Sequence, residues 1–440
     1  MRQALLGIAS IALSGSAWAA TSLSEALDQA LQYAPAVVSS EAQFLADREL
    51  AEQERSNRRP SVSAIGGAAY AHTESDGVFG GSEDDYPSWS ASLQLRQPLF
   101  RLDWSAQGDR ATAYEAQAQA SYDERTLAIM SEVATAYFDV LLSEDGLNLA
   151  QSEAAAIREA FEDTQKRYDV ELVPGTDLRE AQARDDLAQA RLITAKRALE
   201  TARDALETLT GERVEALPRL SAETEFPALQ PMELEPWRER ALATSPALRS
   251  QRESVTIART NLKSSKSARA PTVDMVASAG RDDSSEYDFG QTQDDARIGV
   301  ELNVPIYAGG VNASQIRQAD ARYRAAQAEL RRLELSIRQA VRRLFGDVET
   351  GYVEAKAYAR ALDSARVAET ATQNGYDAGT RTITDVLEAR SSVVEAQRNL
   401  NQTRYQLLLN ILQLKQVVGV LRRQDFVEVD RLLVNNTPSP

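Results

Sequence analysis

The chain contains one helical-hairpin pattern twice. Tyr168-Asp169 and Thr176-Asp177-Leu178 return as Tyr376-Asp377 and Thr384-Asp385-Val386, each 208 residues further along. Each copy lies where a long helical pattern breaks and resumes. A tandem repeat of this length predicts a chain that folds as two related halves with internal pseudo-symmetry.

Two long stretches of the chain lack proline, from Leu99 to Val173 and from Ile306 to Thr437. Because proline breaks helix interiors and these stretches are rich in Ala, Glu, Gln, Arg and Leu, they predict very long helices. A helix from Ser105 to Tyr168 would be on the order of 95 Å long at about 1.5 Å per residue. That length is typical of a coiled coil or a tunnel wall rather than of one globular core.

Each pair of long helices is expected to turn at a tip, the first at about 169–177 and the second at about 375–385. Thr176 and Thr384 are interpreted as the N-caps of the helices that follow the tips. Gly211 and Gly419, also 208 residues apart, are interpreted as the C-caps of those helices.

Two segments with strand periodicity precede each hairpin. The clearest runs from Arg297 to Ile306, with Ile and Val on one face and charged or small residues on the other. The four strands are predicted at about 61–72, 89–100, 272–280 and 296–307. Lengths near ten residues suit tilted membrane strands. The acidic connectors Thr73–Ser88 and Arg281–Asp295 are predicted to be long loops.

The N-terminal residues 1–20 are predicted to be a secretory signal. Arg2 precedes an apolar stretch from Leu5 to Leu13, and Ala17-Trp18-Ala19 is a small-x-small cleavage site. The rest of the chain has no cysteine, and no run of 18 or more apolar residues predicts a transmembrane helix. A net charge of −16 argues against nucleic acid as a partner.

The predicted organisation is a first repeat (21–211), a proline-rich linker (212–236), a second repeat (237–419) and a C-terminal tail (420–440). Four membrane strands cannot close a barrel, since even the smallest barrels need about eight. Lipid does not tolerate open sheet edges, so several chains would have to share one barrel. Three chains would give twelve strands, although the sequence alone leaves that number open.

The run from Tyr376 to Arg390 resembles the tip of the last helical hairpin in TolC-like outer-membrane efflux proteins. The resemblance extends over the repeat, both strand pairs and both hairpins. It implies a mixed α and β membrane protein, a homotrimer that shares a 12-stranded β-barrel with four strands per chain. A long α-helical coiled-coil barrel would continue it into the periplasm.

The same resemblance implies a function without catalysis and without a cofactor or metal. The protein would be the exit duct of a tripartite efflux pump or of a type I protein secretion system, with a gated periplasmic entrance. Its implied partners are a periplasmic adaptor protein, an inner-membrane transporter of the ABC, RND or MFS type, and outer-membrane lipid. The resemblance leaves the exported cargo open.

Site residues follow from the match to the family's tips. Asp385 and Glu388 match the entrance constriction, where like charge in a ring is expected to raise carboxylate pKa values. The residues that match a gate latch are Thr176, Asp177, Tyr376 and Arg381, with the Tyr376 hydroxyl expected to donate to Asp177. The predicted adaptor contacts are Val170, Glu171, Leu172, Ala378, Gly379 and Thr380. Glu171 stands where the family pattern predicts glycine.

Two other functions fit parts of the sequence. A soluble periplasmic coiled-coil adaptor or scaffold would explain the long helices, but not the alternating strand pairs. A periplasmic hydrolase with paired acids is disfavoured, because these acids lie on hairpin tips rather than in a pocket. No Cys/His metal spacing, nucleophile elbow or phosphate-binding loop occurs in the sequence.

Overall fold

The computed structural model describes residues 21–77, 80–214, 216–220, 224, 226, 228–284 and 291–434. The predicted signal, 1–20, lies outside them. The chain forms two compact units, here called the helical unit (Met1–Ser40, Arg125–Ser245 and Ile337–Pro440) and the sheet unit (Glu41–Glu124 and Pro246–Ser336).

The repeated element order is visible along the described part of the chain. The first half contains α1 (Leu23–Tyr33), α2 (Pro35–Ser56), β1 (Ser61–Gly77), β2 (Gly80–Phe100), α3 (Trp104–Asp169) and α4 (Gly175–Thr210), followed by β3 (Arg219–Leu220). The second contains α5 (Leu234–Thr244), α6 (Pro246–Ser267), β4 (Thr272–Ser284), β5 (Gln291–Asn303), α7 (Val311–Asp377) and α8 (Ile383–Val418), followed by α9 (Arg423–Asp430) and β6 (Leu433–Val434).

The sheet unit contains one antiparallel sheet of four strands in the order β1-β2-β4-β5. The prediction of a long loop at Thr73–Ser88 is wrong, because β1 and β2 stay paired from Ser61↔Arg96 to Gly77↔Gly80. Strand pairing is made by backbone groups, so acidic side chains alone do not end it. Most of Arg281–Asp295 is likewise strand, and β5 ends at Asn303 rather than at residue 307. Pro305, which has no N–H to donate, follows that end.

Large apolar side chains on β5 are exposed at alternating positions. Ile298 is 78% exposed, Val300 67% and Leu302 63%. Successive side chains of a strand point to opposite faces, so these three share one face of the sheet. Alternation with an apolar outward face is the pattern of membrane barrel strands.

The helical unit has an apolar core to which α3 contributes a large share. Within α3, Ile129, Val133, Tyr137 and Leu141 are almost completely buried. Among the described residues, α3 is also the one helix with a window apolar enough to cross a membrane by composition, at a mean hydropathy of 1.3. Half of that window is buried in the protein, as it would be in a core helix.

Residues predicted to be a linker and a tail take part in this core. Phe426 of α9 is fully buried, and β6 pairs with β3 from the linker. The Asp430 carboxylate accepts hydrogen bonds from the backbone N–H groups of Leu23 (2.7 Å) and Ser24 (3.0 Å), at the start of α1. These N–H groups have no partner inside their own helix, which is why a carboxylate caps them.

Candidate functional site: the two hairpin tips

Both tips of the helical unit turn with the same backbone hydrogen bonds. At the first tip, Glu171 N donates to Tyr168 O (2.9 Å) and Leu172 N to Arg167 O (2.8 Å). At the second, Gly379 N donates to Tyr376 O (2.9 Å) and Thr380 N to Gly375 O (2.8 Å). This is a Schellman motif, which satisfies the last carbonyls of a helix and requires a left-handed residue after it. The duplicated sequence therefore produces a duplicated turn.

The left-handed position is Glu171 at the first tip and Gly379 at the second. Their φ angles are 60° and 73°. Glu171 is the one non-glycine residue with positive φ in the described part of the chain. A side chain in this conformation brings Cβ close to the following carbonyl and costs about 1–2 kcal/mol. The sequence departure at Glu171 thus leaves the turn geometry unchanged and adds strain.

Glu171→Gly is expected to raise the free energy of unfolding by about 1 kcal/mol, because the relief of left-handed strain exceeds the entropic cost of glycine. The reciprocal change, Gly379→Glu, should lower it by a similar amount. Thermal unfolding of the purified protein measures both. Glu171→Ala removes the charge but keeps Cβ, so an equal gain in that control variant would contradict the strain argument.

The two tips differ in how the following helix begins. At the second, Thr382 is the N-cap of α8 and forms a capping box with Asp385. Thr382 N donates to Asp385 Oδ2 (2.8 Å), and Asp385 N donates to Thr382 Oγ1 (3.2 Å). The prediction of Thr384 as N-cap is therefore wrong by two positions. The sequence signal was a Thr followed three residues later by an acid.

At the first tip the equivalent N-cap is Pro174, so the prediction of Thr176 as N-cap is also wrong. Proline offers neither an N–H nor a side-chain acceptor, and a capping box cannot form. Thr176 Oγ1 instead donates to Asp177 Oδ1 (3.1 Å) inside the first turn of α4. Asp177 and Asp385 thus hold equivalent positions with different partners.

Asp385 and Glu388 lie one turn apart at the start of α8, and Glu388 is exposed. Hydrogen bonds from the Thr382 backbone and hydroxyl hold the pKa of Asp385 below its ordinary value. This direction is opposite to the rise predicted from like charge in a ring. Within one chain, Asp385 is stabilised as a carboxylate by its capping role.

Tyr376, a predicted latch residue, contacts a side chain that the sequence did not indicate. The Arg167 guanidinium lies over the Tyr376 ring, 5.2 Å from its centroid, and Arg167 Nε is 2.9 Å from Asp163 Oδ2. Burial raises the pKa of the Tyr376 hydroxyl. Asp163, Arg167 and Tyr376 therefore link the end of α3 to the end of α7. No local sequence signal identifies this contact, because its partners belong to different repeats.

Arg381 packs on the backbone of its own tip. The backbone N–H of Arg381 donates to Gly375 O (3.2 Å). A Cβ at Gly375 would lie 2.8 Å from Arg381 Cγ. Position 375 therefore has to be glycine for this packing. The residue of the first repeat that is equivalent to Gly375 is Arg167, whose side chain contacts Tyr376. At this position the second tip therefore has a glycine that leaves space for Arg381, and the first tip has an arginine that contacts the other hairpin.

The predicted adaptor contacts form exposed surfaces at the two turns. Val170 is 63% and Leu172 74% exposed, while Ala378, Gly379 and Thr380 are also exposed. Apolar side chains at such exposure favour contact with another protein. Among the described residues, no group of three or more His, Asp or Glu is arranged to hold a metal ion.

Comparisons with known proteins show the family to which the chain belongs. The family described as outer membrane efflux protein matches residues 26–212 and 237–420. The outer membrane protein TolC of Vibrio cholerae is 32% identical over 422 residues, which cover 95% of each chain. The alkaline protease secretion protein AprF of Pseudomonas aeruginosa is 29% identical over 344 residues, or 78% of this chain and 72% of AprF.

The solved structures with a similar fold include the CmeC outer membrane channel of Campylobacter jejuni. Its TM-score is 0.78 at 17% identity, over 94% of this chain and 90% of CmeC. The fold and the relatives together define an outer-membrane channel protein of efflux and type I secretion. The chain belongs to the outer membrane efflux protein family, whose two matched segments span both repeats. The alternative of a soluble periplasmic scaffold is thereby set aside.

Proposed function

We propose that three copies of this chain form one duct, with a shared 12-stranded barrel in the outer membrane and a helical tunnel whose periplasmic mouth is built by the hairpin tips. The observation that carries the proposal is the open sheet. Its outer strands, β1 and β5, each have one partner among the described strands. Unpaired strand edges are not tolerated in lipid.

The strand directions support closure between copies. All three pairings in the sheet are antiparallel, so β1 and β5 run in opposite directions. β5 of one copy can therefore pair with β1 of the next and continue the antiparallel order, as in outer-membrane barrels. This contact is head-to-tail, and such contacts make closed rings when the rotation closes.

The number three follows from barrel size. Two copies would give about eight strands, and side chains fill a barrel of that size. Twelve strands are the smallest multiple of four that leaves a lumen. An export duct needs that lumen, so the trimer is the smallest assembly that can transport.

The proposed entrance lies at the tips. Asp385 and Glu388 would form the constriction, and Thr176, Asp177, Tyr376 and Arg381 would latch it, with Arg167 as an additional latch residue. Within one chain the Arg167 guanidinium lies over the Tyr376 ring. We propose that the gate has two states, and that Tyr376 donates to Asp177 in only one of them. Exposed pairs are worth about 0.2–1 kcal/mol each, which suits a gate that a docking partner can shift.

The proposed partners are a periplasmic adaptor and an inner-membrane transporter of the ABC, RND or MFS type. Val170, Glu171 and Leu172 at the first tip, and Ala378, Gly379 and Thr380 at the second, would contact the adaptor. Their exposure at turns supports this role. The duct itself would do no chemistry, so the energy for export would come from the inner-membrane partner.

Cysteine cross-linking tests the assembly, since the native chain has no cysteine. Ser61→Cys on β1 is combined with a cysteine at residue 299, 301 or 303 of β5. Ser61 pairs with Arg96, Arg96 with Val276, and Val276 with Gly299, so Ser61 and Gly299 lie in the same row across the sheet. We expect oxidation in membranes to give a covalent trimer for at least one combination. Each single-cysteine variant should remain a monomer on a denaturing gel.

A ladder that ends at the dimer, or no cross-link with any combination in protein recovered from the outer membrane, would refute the shared barrel. Pairing Ser61→Cys with a cysteine at Lys196, in α4 of the helical unit, is the matched negative control. Cross-links in that control would show non-specific collision rather than strand pairing.

A further inference from the structure

One segment of the sheet unit carries cations without acids. Residues 254–273 contain Arg259, Lys263, Lys266 and Arg269 and no Asp or Glu, in a chain whose net charge is −16. Lys266 lies in the last turn of α6, and β4 begins at Thr272. Lys266 and Arg269 are both exposed. The segment therefore places positive charge directly before β4, the strand that pairs with β5 and its exposed apolar face.

The equivalent cations of the first repeat already have partners. Arg55 and Arg58 lie 211 residues before Lys266 and Arg269. Arg55 forms two hydrogen bonds with Glu115, each 2.8 Å, and Arg58 donates to the Trp104 carbonyl. Within the described residues Lys266 and Arg269 form no ion pair, and Lys263 has only Asp109 at 3.8 Å. The second repeat thus presents two cations, Lys266 and Arg269, without an ion-pair partner among the described residues.

A groove that Lys263 and Lys266 line, but Arg269 does not, lies entirely within the sheet unit. Its volume is about 750 Å³, and its lining includes the cations and hydroxyls Arg259, Lys263, Lys266, Thr112, Thr256 and Tyr323. Asp109 and Glu253 also line it. Glu253 is 13 residues from Lys266, or roughly 20 Å along the helix. Glu253 therefore lies at the end of the groove far from β4, with Thr256 one turn from it, while Asp109 lies 3.8 Å from Lys263.

Exposed apolar residues follow the end of β5, which pairs with the start of β4. Thr272, the first residue of β4, pairs with Asn303, the last of β5. Ile306 and Tyr307, just beyond β5, are 94% and 87% exposed. Exposed aromatic and aliphatic side chains at a strand end mark the boundary of the hydrocarbon layer. Basic residues near such a boundary attract anionic lipid headgroups.

We infer that Lys266 and Arg269, with Lys263, form a binding site for the headgroup phosphate of an anionic phospholipid in the periplasmic leaflet of the outer membrane. This inference rests on the proposed function, which places the helix-joined ends of the strands at that leaflet. A helix dipole accounts for Lys266 at the C-terminus of α6, but not for Arg269, which lies beyond it.

The test uses the full-length protein in phosphatidylcholine vesicles that contain spin-labelled phosphatidylglycerol or spin-labelled phosphatidylcholine. Electron paramagnetic resonance gives the relative association constant of the two lipids. We expect a preference for phosphatidylglycerol of at least about threefold, since each cation near an anionic membrane surface favours association by about fivefold at low salt. Lys266→Gln with Arg269→Gln should bring the preference close to one.

The matched control is Lys196→Gln with Arg197→Gln, two exposed cations of the helical unit. It removes the same charge and should keep the preference. An unchanged preference in the Lys266/Arg269 variant, or an equal loss in the control, would overturn the site. Inorganic phosphate at millimolar concentration should not abolish the preference, and if it does, the groove is a site for free phosphate.

The result separates this inference from the proposed function. A protein that reconstitutes as a trimer but treats both lipids alike refutes only the lipid site. A protein that immobilises neither lipid is not embedded in the bilayer, and that outcome refutes the duct as well.

Discussion

Replacing Asp385 by Asn and Glu388 by Gln is expected to remove most of the cation preference of the reconstituted channel. In a trimer the two positions place six carboxylates around the mouth, and carboxylate rings select cations in pores. The ratio of cation to anion permeability, measured from reversal potentials in planar bilayers under a salt gradient, should fall to the order of unity. Block by multivalent cations should weaken in parallel.

The chain offers a matched control for this experiment. Asp204 and Glu207 on α4 have the same spacing and are 58% and 42% exposed. Asp204→Asn with Glu207→Gln removes equal charge away from the tips and should leave selectivity unchanged. Asn at residue 385 can still accept a hydrogen bond from Thr382, so α8 keeps its cap. Native selectivity in the Asp385/Glu388 variant would place the constriction elsewhere.

Asp274→Ala is expected to lower the stability of the sheet unit by on the order of 3 kcal/mol, because it removes the shared partner of two arginines. The Asp274 side chain is 3% exposed, and it accepts from Arg96 (2.8 and 3.0 Å) and from Arg101 (2.7 and 3.0 Å). The three residues join β4 to β2 and to the residue just after β2. Loss of folded protein with increasing urea in detergent measures the effect.

Glu301→Ala is the control, since Glu301 lies 3.5 Å from the same Arg96 but is 52% exposed. An exposed pair of this kind is worth less than about 1 kcal/mol. Equal destabilisation by the two variants would show that burial of Asp274 is not what makes its contacts strong.

The long helices could be read from the sequence because their signal is local. Absence of proline and helix-forming composition placed the first at Ser105–Tyr168, and α3 runs Trp104–Asp169. Gly211 and Gly419 end α4 and α8 in the left-handed conformation, as predicted. The elements that were missed, α9 and the β3–β6 pair, depend on contacts between distant parts of the chain. No local pattern reports such contacts.

The strands were located but their lengths were underestimated. The acidic residues Glu74 and Asp85 fall in the predicted loop. In the structure Glu74 lies in β1, paired with Glu83, and Asp85 lies in β2, paired with His72. Side-chain polarity predicts which part of a strand contacts lipid. It does not predict where backbone pairing stops, because the N–H and C=O groups pair whatever side chain they carry.

At the tips, the sequence located both turns but not the contacts that their residues make. The family match identified Asp385, Tyr376 and Glu171, and the last of these occupies the left-handed position that the missing glycine implied. The capping role of Asp385 has a local sequence signal, since Asp385 is an acid three residues after Thr382. The Arg167–Tyr376 contact was not predictable, since it depends on how two hairpins pack.

The cap that Asp430 provides for α1 has a consequence for the order of events during biogenesis. The carboxylate and the N–H of Leu23 are separated by 407 positions. While a chain emerges into the periplasm, its first helix has no access to that carboxylate, and short helices without tertiary support are marginal in water. Capping of α1 by Asp430 is therefore a late step in maturation, because it requires the whole chain.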